Sequence, residues 1–434
     1  MQLYRKELVM RKMLLLLMIP VLLLGIAGCG RTASGEVLKS DLSRNTAPEF
    51  NETDLETLVN GNNSFAFNLY QVLKEEKSNL FYSPYSISAA LAMTYAGARG
   101  DTEKAMAEAL HFDLPQDRLH PAFNGLDLQL EQRGEGAKGM DGEGFRLNIV
   151  NAIWGQKDYR FLDEYLNVLA QNYGAGLRIV DFVNETEQSR LTINQWVSDQ
   201  TEGKIEDLIP QGVINQLTRL VLTNAIYFNA AWEHQFQEGS TTDGPFHLPD
   251  GGEVTVPMMH QTESLGYMEG DGYQAVELPY DGQELSMVIL LPEEGAFNTF
   301  ENNLNIAFVN PVLDNLELQR VALTMPKFEY ESAFGLKDAL TTLGMGVAFT
   351  PDADLSGMDG KHDLFIQDVV HKAFVAVDES GTEAAAATAV IVGLTAMPAE
   401  PVTMTIDRPF IFFIRDIQTG SIIFIGRVFN PTAE

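Results

Sequence analysis

The chain has 434 residues, 45% of them hydrophobic, which excludes a disordered segment or a small disulfide scaffold and suffices for one large domain or two ordinary ones. Its 29 Lys and Arg stand against 60 Asp and Glu, a formal net charge of -31, so the extended basic footprint of a nucleic-acid binder is absent and no nucleic-acid partner is expected. A single cysteine, Cys29, rules out an intrachain disulfide and any metal or redox centre built from cysteines of one chain.

Taken in chain order, Arg5, Lys6, Arg11 and Lys12 form a cationic start, and Met13 to Ala27 is an apolar run of 15 residues interrupted by Pro20. That is short of the roughly 20 residues that span a bilayer as a helix, so residues 1–28 read as a signal peptide. Ile26, Ala27, Gly28 and Cys29 resemble the lipobox of bacterial lipoproteins, in which the cysteine thiol takes the lipid. The expected product begins at a lipidated Cys29 and lies at the membrane surface of the cell envelope; the alternative is an ordinary signal peptide with an incidental cysteine. Loss of residues 1–28 removes four cations and one carboxylate, which takes the net charge from -31 to -34. Residues 29–55 are polar with no sustained apolar period and read as a tether. Phe65, Leu69, Val72 and Leu73 then share one helical face, and residues 56–434 read as one domain.

Helices are expected over Ile87 to Tyr95 and Phe161 to Tyr173 in the first half. The second half predicts strands at Thr255 to Met259, Ala275 to Leu278, Leu285 to Leu291, Val321 to Met325, Val369 to Val377, Pro409 to Ile414 and Ser421 to Val428. Asp416 to Gly420 joins the last two as a hairpin. Leu285 to Leu291 and Ile411 to Ile414 are nearly unbroken apolar runs, the pattern of strands covered on both faces. The class is α+β with large buried sheets.

No motif supports catalysis. Gly134 to Gly139 matches a dinucleotide fingerprint by letters, yet it follows the polar Glu131-Gln132-Arg133 rather than a strand and would set Glu135 against a pyrophosphate. There is no Gly-x-Ser-x-Gly, no His-Glu-x-x-His and no phosphate-binding Gly-Lys-Ser or Gly-Lys-Thr. His111 and His120 are nine apart, and His371 lies inside an apolar strand, where a histidine is more often a satisfied core hydrogen-bonder than a catalyst. No enzyme activity, cofactor or metal is expected.

Residues 379–403 are the anomaly. Four consecutive alanines favour a helix by propensity. The same segment also works as a latent strand, with Thr382, Ala384, Ala386, Thr388, Val390 and Val392 on one small or apolar face.

Glu379-Ser380-Gly381-Thr382-Glu383-Ala384-Ala385-Ala386-Ala387 resembles the reactive-loop hinge of inhibitory serpins. Further stretches are similar to the same family: Asn79 to Ile87 with Ala90 to Ala98, Ile193 to Ile205, Thr223 to Phe228 with Trp232, Val276 to Tyr280, Met325 to Phe328, Arg408 to Phe410 and Gly426 to Pro431. The likeness extends over roughly residues 60–432. Two departures are Asn229-Ala230, where the family usually has Lys-Gly, and a reactive loop somewhat longer than in many relatives.

The resemblance implies a serpin fold, about eight or nine helices packed on three β-sheets, with an exposed reactive loop over about 379–403 able to enter the central sheet. It implies a monomeric, single-use inhibitor whose partner is a serine or cysteine protease. Glu379, Gly381, Thr382, Ala384, Ala385, Ala386 and Ala387 would be the hinge. Ser83, Ser86, Asn224 and His371 would be the polar cluster under the opening strands, and Trp232 would pack where insertion starts. Trp196 to Ile205 would lie over the sheet. Counting from the hinge places the reactive bond at Thr395-Ala396, within a bracket from Leu394 through Met397 to Pro398 set by counting back from Pro409. With no Lys or Arg between Lys372 and Arg408, elastase-like or subtilisin-like proteases are the expected targets. The alternative is a non-inhibitory serpin acting as a binding or chaperone-like protein.

Overall fold

The computed structural model describes residues 36–74, 78–135, 137, 146–382 and 400–433. Sixteen strands are described: β1 (Glu36–Leu38), β2 (Leu80–Tyr82), β3 (Arg146–Gln156), β4 (Leu177–Val180), β5 (Leu220–Ala231), β6 (Thr242–His247), β7 (Glu253–Gly270), β8 (Tyr273–Pro279), β9 (Leu285–Pro292), β10 (Glu317–Pro326), β11 (Phe328–Gly335), β12 (Asp368–Val377), β13 (Gly381–Thr382), β14 (Val402–Thr405), β15 (Phe410–Asp416) and β16 (Ile422–Val428). Ten α-helices accompany them among the described residues, two of only four residues, which accounts for the excess over the expected eight or nine.

The central sheet runs β1-β4-β3-β5-β13-β12-β11. The remaining strands form a path β14-β10-β7-β8-β9-β15-β16-β2, with β6 against β7. Two of the three expected sheets are therefore continuous, because β7 is 18 residues long and pairs with β10 and β6 along most of its length and with β8 at its far end. The apolar runs are where burial demands them: every residue of β5 and β9 is buried, as strands covered on both faces require. The helix Pro84–Tyr95 is likewise buried all round, with Ser83 capping it and Pro84 in its first turn.

The start of the domain corrects the sequence reading. Residues 36–51 are part of the fold rather than a tether: β1 pairs antiparallel with β4 at the sheet edge, and the helix begins at Glu52 under a reciprocal cap between Asn51 and Asp54. The ring of Phe50 occupies the space a Cβ would need at Gly125. Short, polar and without period, this stretch has no pattern of its own, because its order comes from partners more than 70 residues away.

The fingerprint-like glycines begin in a turn. The Gly134 amide donates to the Glu284 carboxylate at 2.7 Å, so a carboxylate already holds that N–H; residues 136 and 138–145 lie outside the described ones.

Candidate functional site

The site is a seam in the central sheet. Strands β5 and β12 run parallel and pair from Val221↔Asp368 to Ile226↔Ala373. Beyond Ile226 and Ala373 their ladder stops, and β13 stands between them. Thr382 pairs with Val377 on one side and Ala230 on the other, and Gly381 pairs with Ala231. The chain that leaves β12 thus turns back within four residues and re-enters the sheet antiparallel to both neighbours.

Local chemistry makes that turn. Asp378 accepts from the amides of Ser380 and Gly381 at 2.8 and 3.3 Å, and its own amide donates to the Gly381 carbonyl at 3.0 Å. Gly381 is required by close approach: a Cβ there would collide with the Ala230 carbonyl and the Ala231 backbone. Trp232 clamps the turn from the far end of β5. Its amide donates to the Ser380 carbonyl at 2.9 Å and its Nε1 to the Asp378 carbonyl at 3.0 Å. Its ring stacks on Tyr280 with centroids 4.7 Å apart, and the Tyr280 hydroxyl meets the Thr382 hydroxyl at 2.9 Å. Thr382 is 1% exposed.

Glu379 fastens the outer side of the turn. It pairs with Lys327 at 2.6 Å and accepts from the Thr241 hydroxyl at 2.6 Å. Burial pushes this carboxyl up, but the Lys327 ammonium and the Thr241 hydroxyl together outweigh burial and leave it below the usual range.

Further down, the seam is closed by side chains. His371 on β12 faces Asn224 on β5, which faces Asn151 on β3. The Ser83 amide donates to His371 Nε2 at 3.2 Å, so the ring proton sits on Nδ1 and is donated to the Asn224 side-chain oxygen. The Asn224 amide group donates in turn to the Ser86 hydroxyl at 2.5 Å and to the Asn151 side-chain oxygen. Ser86 donates to Asn151 at 3.1 Å, and Ser83 donates to the Ile423 carbonyl at 2.7 Å. The four polar residues expected from the sequence meet in one network, and Asn151 is a fifth member that sequence reading missed. Its signal was an asparagine at the centre of the apolar run Ile149 to Trp154 of β3, a partly buried amide that needs partners. Complete burial pushes the His371 imidazole from 6.5 down to about 3, and it is neutral.

A layer lies over the seam. Ile193, Trp196 and Val197 of the helix Thr186–Gln200, with Ile205, Leu208 and Ile209 beyond it, pack on Val150 and Trp154 of β3, Val221 and Ala225 of β5 and Val370 of β12. Where β5 and β12 part, the Lys204 ammonium stands 5.9 and 5.8 Å from the ring centroids of Tyr227 and Phe374, one on each strand. The layer spans both sides, so parting the strands means disturbing it.

Ala384, Ala385, Ala386 and Ala387, the reactive-bond candidates Leu394, Thr395, Ala396, Met397 and Pro398, and Cys29 lie outside the described residues.

Comparison with known proteins agrees with this geometry. The family profile described as Serpin (serine protease inhibitor) matches residues 60–431. A serpin-like protein of Thermococcus kodakarensis is 43% identical over 376 residues, 86% of each chain. Human leukocyte elastase inhibitor is 40% identical over 389 residues, 87% of this chain and 100% of the relative. Among solved structures, the thermophilic serpin tengpin in its native state superposes with a TM-score of 0.78 at 30% identity, covering 91% of this chain and 97% of its own. Uncleaved ovalbumin superposes at 0.77 with 25% identity, over 86% of this chain and 100% of its own.

Proposed function

The chain belongs to the serpin family, whose profile is described as serine protease inhibitor, and from that premise we propose that it is an inhibitory serpin, a single-use substrate trap for serine endopeptidases. One observation carries the reading: Thr382 already pairs with both β5 and β12, and Gly381 with β5, so the loop's first residues occupy the path along which the rest would enter.

The protease serine attacks the carbonyl of the reactive bond, releases the amine of the residue that follows, and leaves an ester to the loop. Cleavage frees the upstream segment from its distal attachment. The ladder that Thr382 starts then propagates between β5 and β12. About 13 residues at roughly 3.3 Å each move the esterified protease on the order of 40 Å. Ester hydrolysis requires a positioned water and oxyanion donors, and distortion of that geometry stalls it. The chain contributes no reacting group beyond its own peptide bond. What supports the trap over a binding role is Ala384 to Ala387 after Thr382, side chains small enough to pass between two packed strands. The reactive bond belongs at Thr395-Ala396, within Leu394 to Pro398, and a loop without Lys or Arg from residue 373 to 407 suits elastase-like or subtilisin-like specificity pockets.

Incubation with elastase and subtilisin should give a complex that survives boiling in detergent, and a C-terminal fragment beginning at Ala396. Cleavage with no such complex assigns the chain to the non-inhibitory branch. The membrane-surface location rests on the lipobox: Cys29→Ser should move the protein from the detergent phase to the soluble fraction, and unchanged partitioning contradicts it.

A further inference from the structure

We propose that the lipid anchor holds the domain with its reactive loop turned away from the membrane, so that insertion carries a trapped protease down to the lipid surface. This rests on the anchor and insertion readings above and joins them through the strand registers.

One row of pairings crosses the central sheet from its edge to the seam. Glu36 of β1 pairs with Ile179 of β4, Ile179 with Gly155 of β3, and Gly155 with Leu220 of β5. Leu220 is the first residue of β5, and the reactive loop begins at the other end of that strand, where Ala231 and Ala230 pair with Gly381 and Thr382. β5 has 12 residues, so at roughly 3.3 Å each its two ends stand about 36 Å apart. The loop's far attachment is at the upper pole as well: β14 pairs with β10 up to Thr324↔Thr405, close in sequence to the Lys327 that holds Glu379. β1 is antiparallel to β4, β4 parallel to β3 and β3 antiparallel to β5. β1 therefore runs upward like β5, and Glu36 is its lower end.

Cys29 precedes Glu36 by seven residues, a length of chain that reaches at most about 25 Å. A lipid at Cys29 thus ties the lower pole to the membrane and leaves the loop at the opposite one. The net charge of -34 left after loss of residues 1–28 is repelled by anionic headgroups, so no electrostatic attraction draws the body flat onto such a surface. Insertion then runs toward the membrane. The ladder that begins at Thr382 grows from Ala230 toward Leu220, and the esterified protease travels with its end. A protease domain of about 200 residues is about 40 Å across, wider than the reach of the tether. The body must lean to make room, and the protease ends against the headgroups.

The test uses the mature lipidated chain in phosphatidylcholine–phosphatidylglycerol vesicles that carry an energy acceptor on the headgroup. Cys29 is the only cysteine and the lipid takes its thiol, so a donor can be placed at one introduced thiol. Leu217→Cys puts it at the lower pole, where the side chain is 73% exposed. Glu238→Cys puts it at the upper pole, on an exposed residue whose carbonyl accepts from the amide of Thr241, the partner of Glu379. Transfer should be severalfold higher from position 217 than from position 238. A flexible Gly-Ser insertion of about 20 residues after Ser34 adds about 25 Å of reach and should lower transfer from position 217. Subtilisin labelled with the donor should give low transfer while bound at the loop with its catalytic serine replaced by alanine, and severalfold higher transfer in the boil-stable complex. Equal transfer from positions 217 and 238 overturns the orientation, and a trapped protease no nearer the lipid than the serine-less one overturns the delivery. A parent that does not float with the vesicles defeats the anchor reading, and one that floats but forms no boil-stable complex defeats the trap, so the failures are distinguishable.

Discussion

The two ends of the β5–β12 seam are closed by different means. At the upper end the strands are held apart by backbone: Gly381 and Thr382 satisfy the facing edges, and Trp232, Tyr280 and Glu379 hold the turn that presents them. At the lower end they are held together by side chains, with the buried Ser83, Ser86, Asn224 and His371 and the partly buried Asn151 sharing one network. The upper end needs no opening step because the intruding strand is already in place. On the insertion reading, the lower end has to give up the His371–Asn224 contact that crosses it as the strand arrives. The division teaches where rate and stability are set: substitutions above should act on the start of insertion, and substitutions below on the resistance to it and on the fold.

The largest effect is expected above. Thr382→Arg would bury a charge against Tyr280, a penalty of several kcal/mol if unpaired. Insertion should then lose to ester hydrolysis and turn the inhibitor into a substrate, with the uncleaved protein still folded. The number of inhibitor molecules consumed per protease trapped measures this; one-to-one trapping by the variant would contradict the role given to Thr382.

Next comes the lower network. Asn224→Ala strands the His371 Nδ1 proton and leaves the Ser86 hydroxyl and the Asn151 oxygen with only the bond they make to each other. The expected cost is about 2–3 kcal/mol, with faster spontaneous insertion. Asn151→Ala should cost less, because it leaves the Asn224–His371 contact intact. Equilibrium denaturation with thermal midpoints checks both.

The network also predicts a pH dependence. His371 and His120 are held neutral by burial, at about 3 and about 4 against an ordinary 6.5. Between those values and 6.5 the unfolded chain binds more protons than the folded one, so stability is complete above about pH 6.5 and falls as the pH drops through that window. The two histidines together are worth a few kcal/mol. A thermal midpoint that is flat from pH 7 to 4.5 contradicts this. In a His371→Gln variant the slope should be reduced to the share of His120, whose Nδ1 meets the Tyr173 hydroxyl at 2.7 Å and whose Nε2 has no hydrogen-bond partner among the described residues.

The smallest effect is expected at the outer tie. Glu379→Gln keeps the shape and removes the ion pair with Lys327, which is partly exposed, so about 1 kcal/mol or less is expected. Its signature is an earlier onset of insertion with little change in denaturation.

The sequence made the apolar strands legible because burial writes itself into side-chain type. Leu285 to Leu291 and Val369 to Val377 fall within β9 and β12 almost to the residue. Edges were less visible: β7 extends well past Thr255 to Met259 because its outer part alternates with solvent-facing polar residues. The seam's four named residues were readable only through resemblance. Nothing in their spacing brings position 83 to position 371; β12 and the start of the helix Pro84–Tyr95 do that. Asn151 went unread for the same reason, since it draws its meaning from partners far along the chain.

The central claim is that β5 and β12 must part for trapping to occur, and a reversible lock tests it. Ala225 and Lys372 are register partners across the seam, and Cys29 is the only native cysteine. In a Cys29→Ser background, Ala225→Cys with Lys372→Cys should give a protein that, once its crosslink is confirmed by mass, is cleaved by elastase or subtilisin without forming a boil-stable complex. Reduction should restore the complex. A crosslinked protein that traps protease as well as its reduced form would contradict the account.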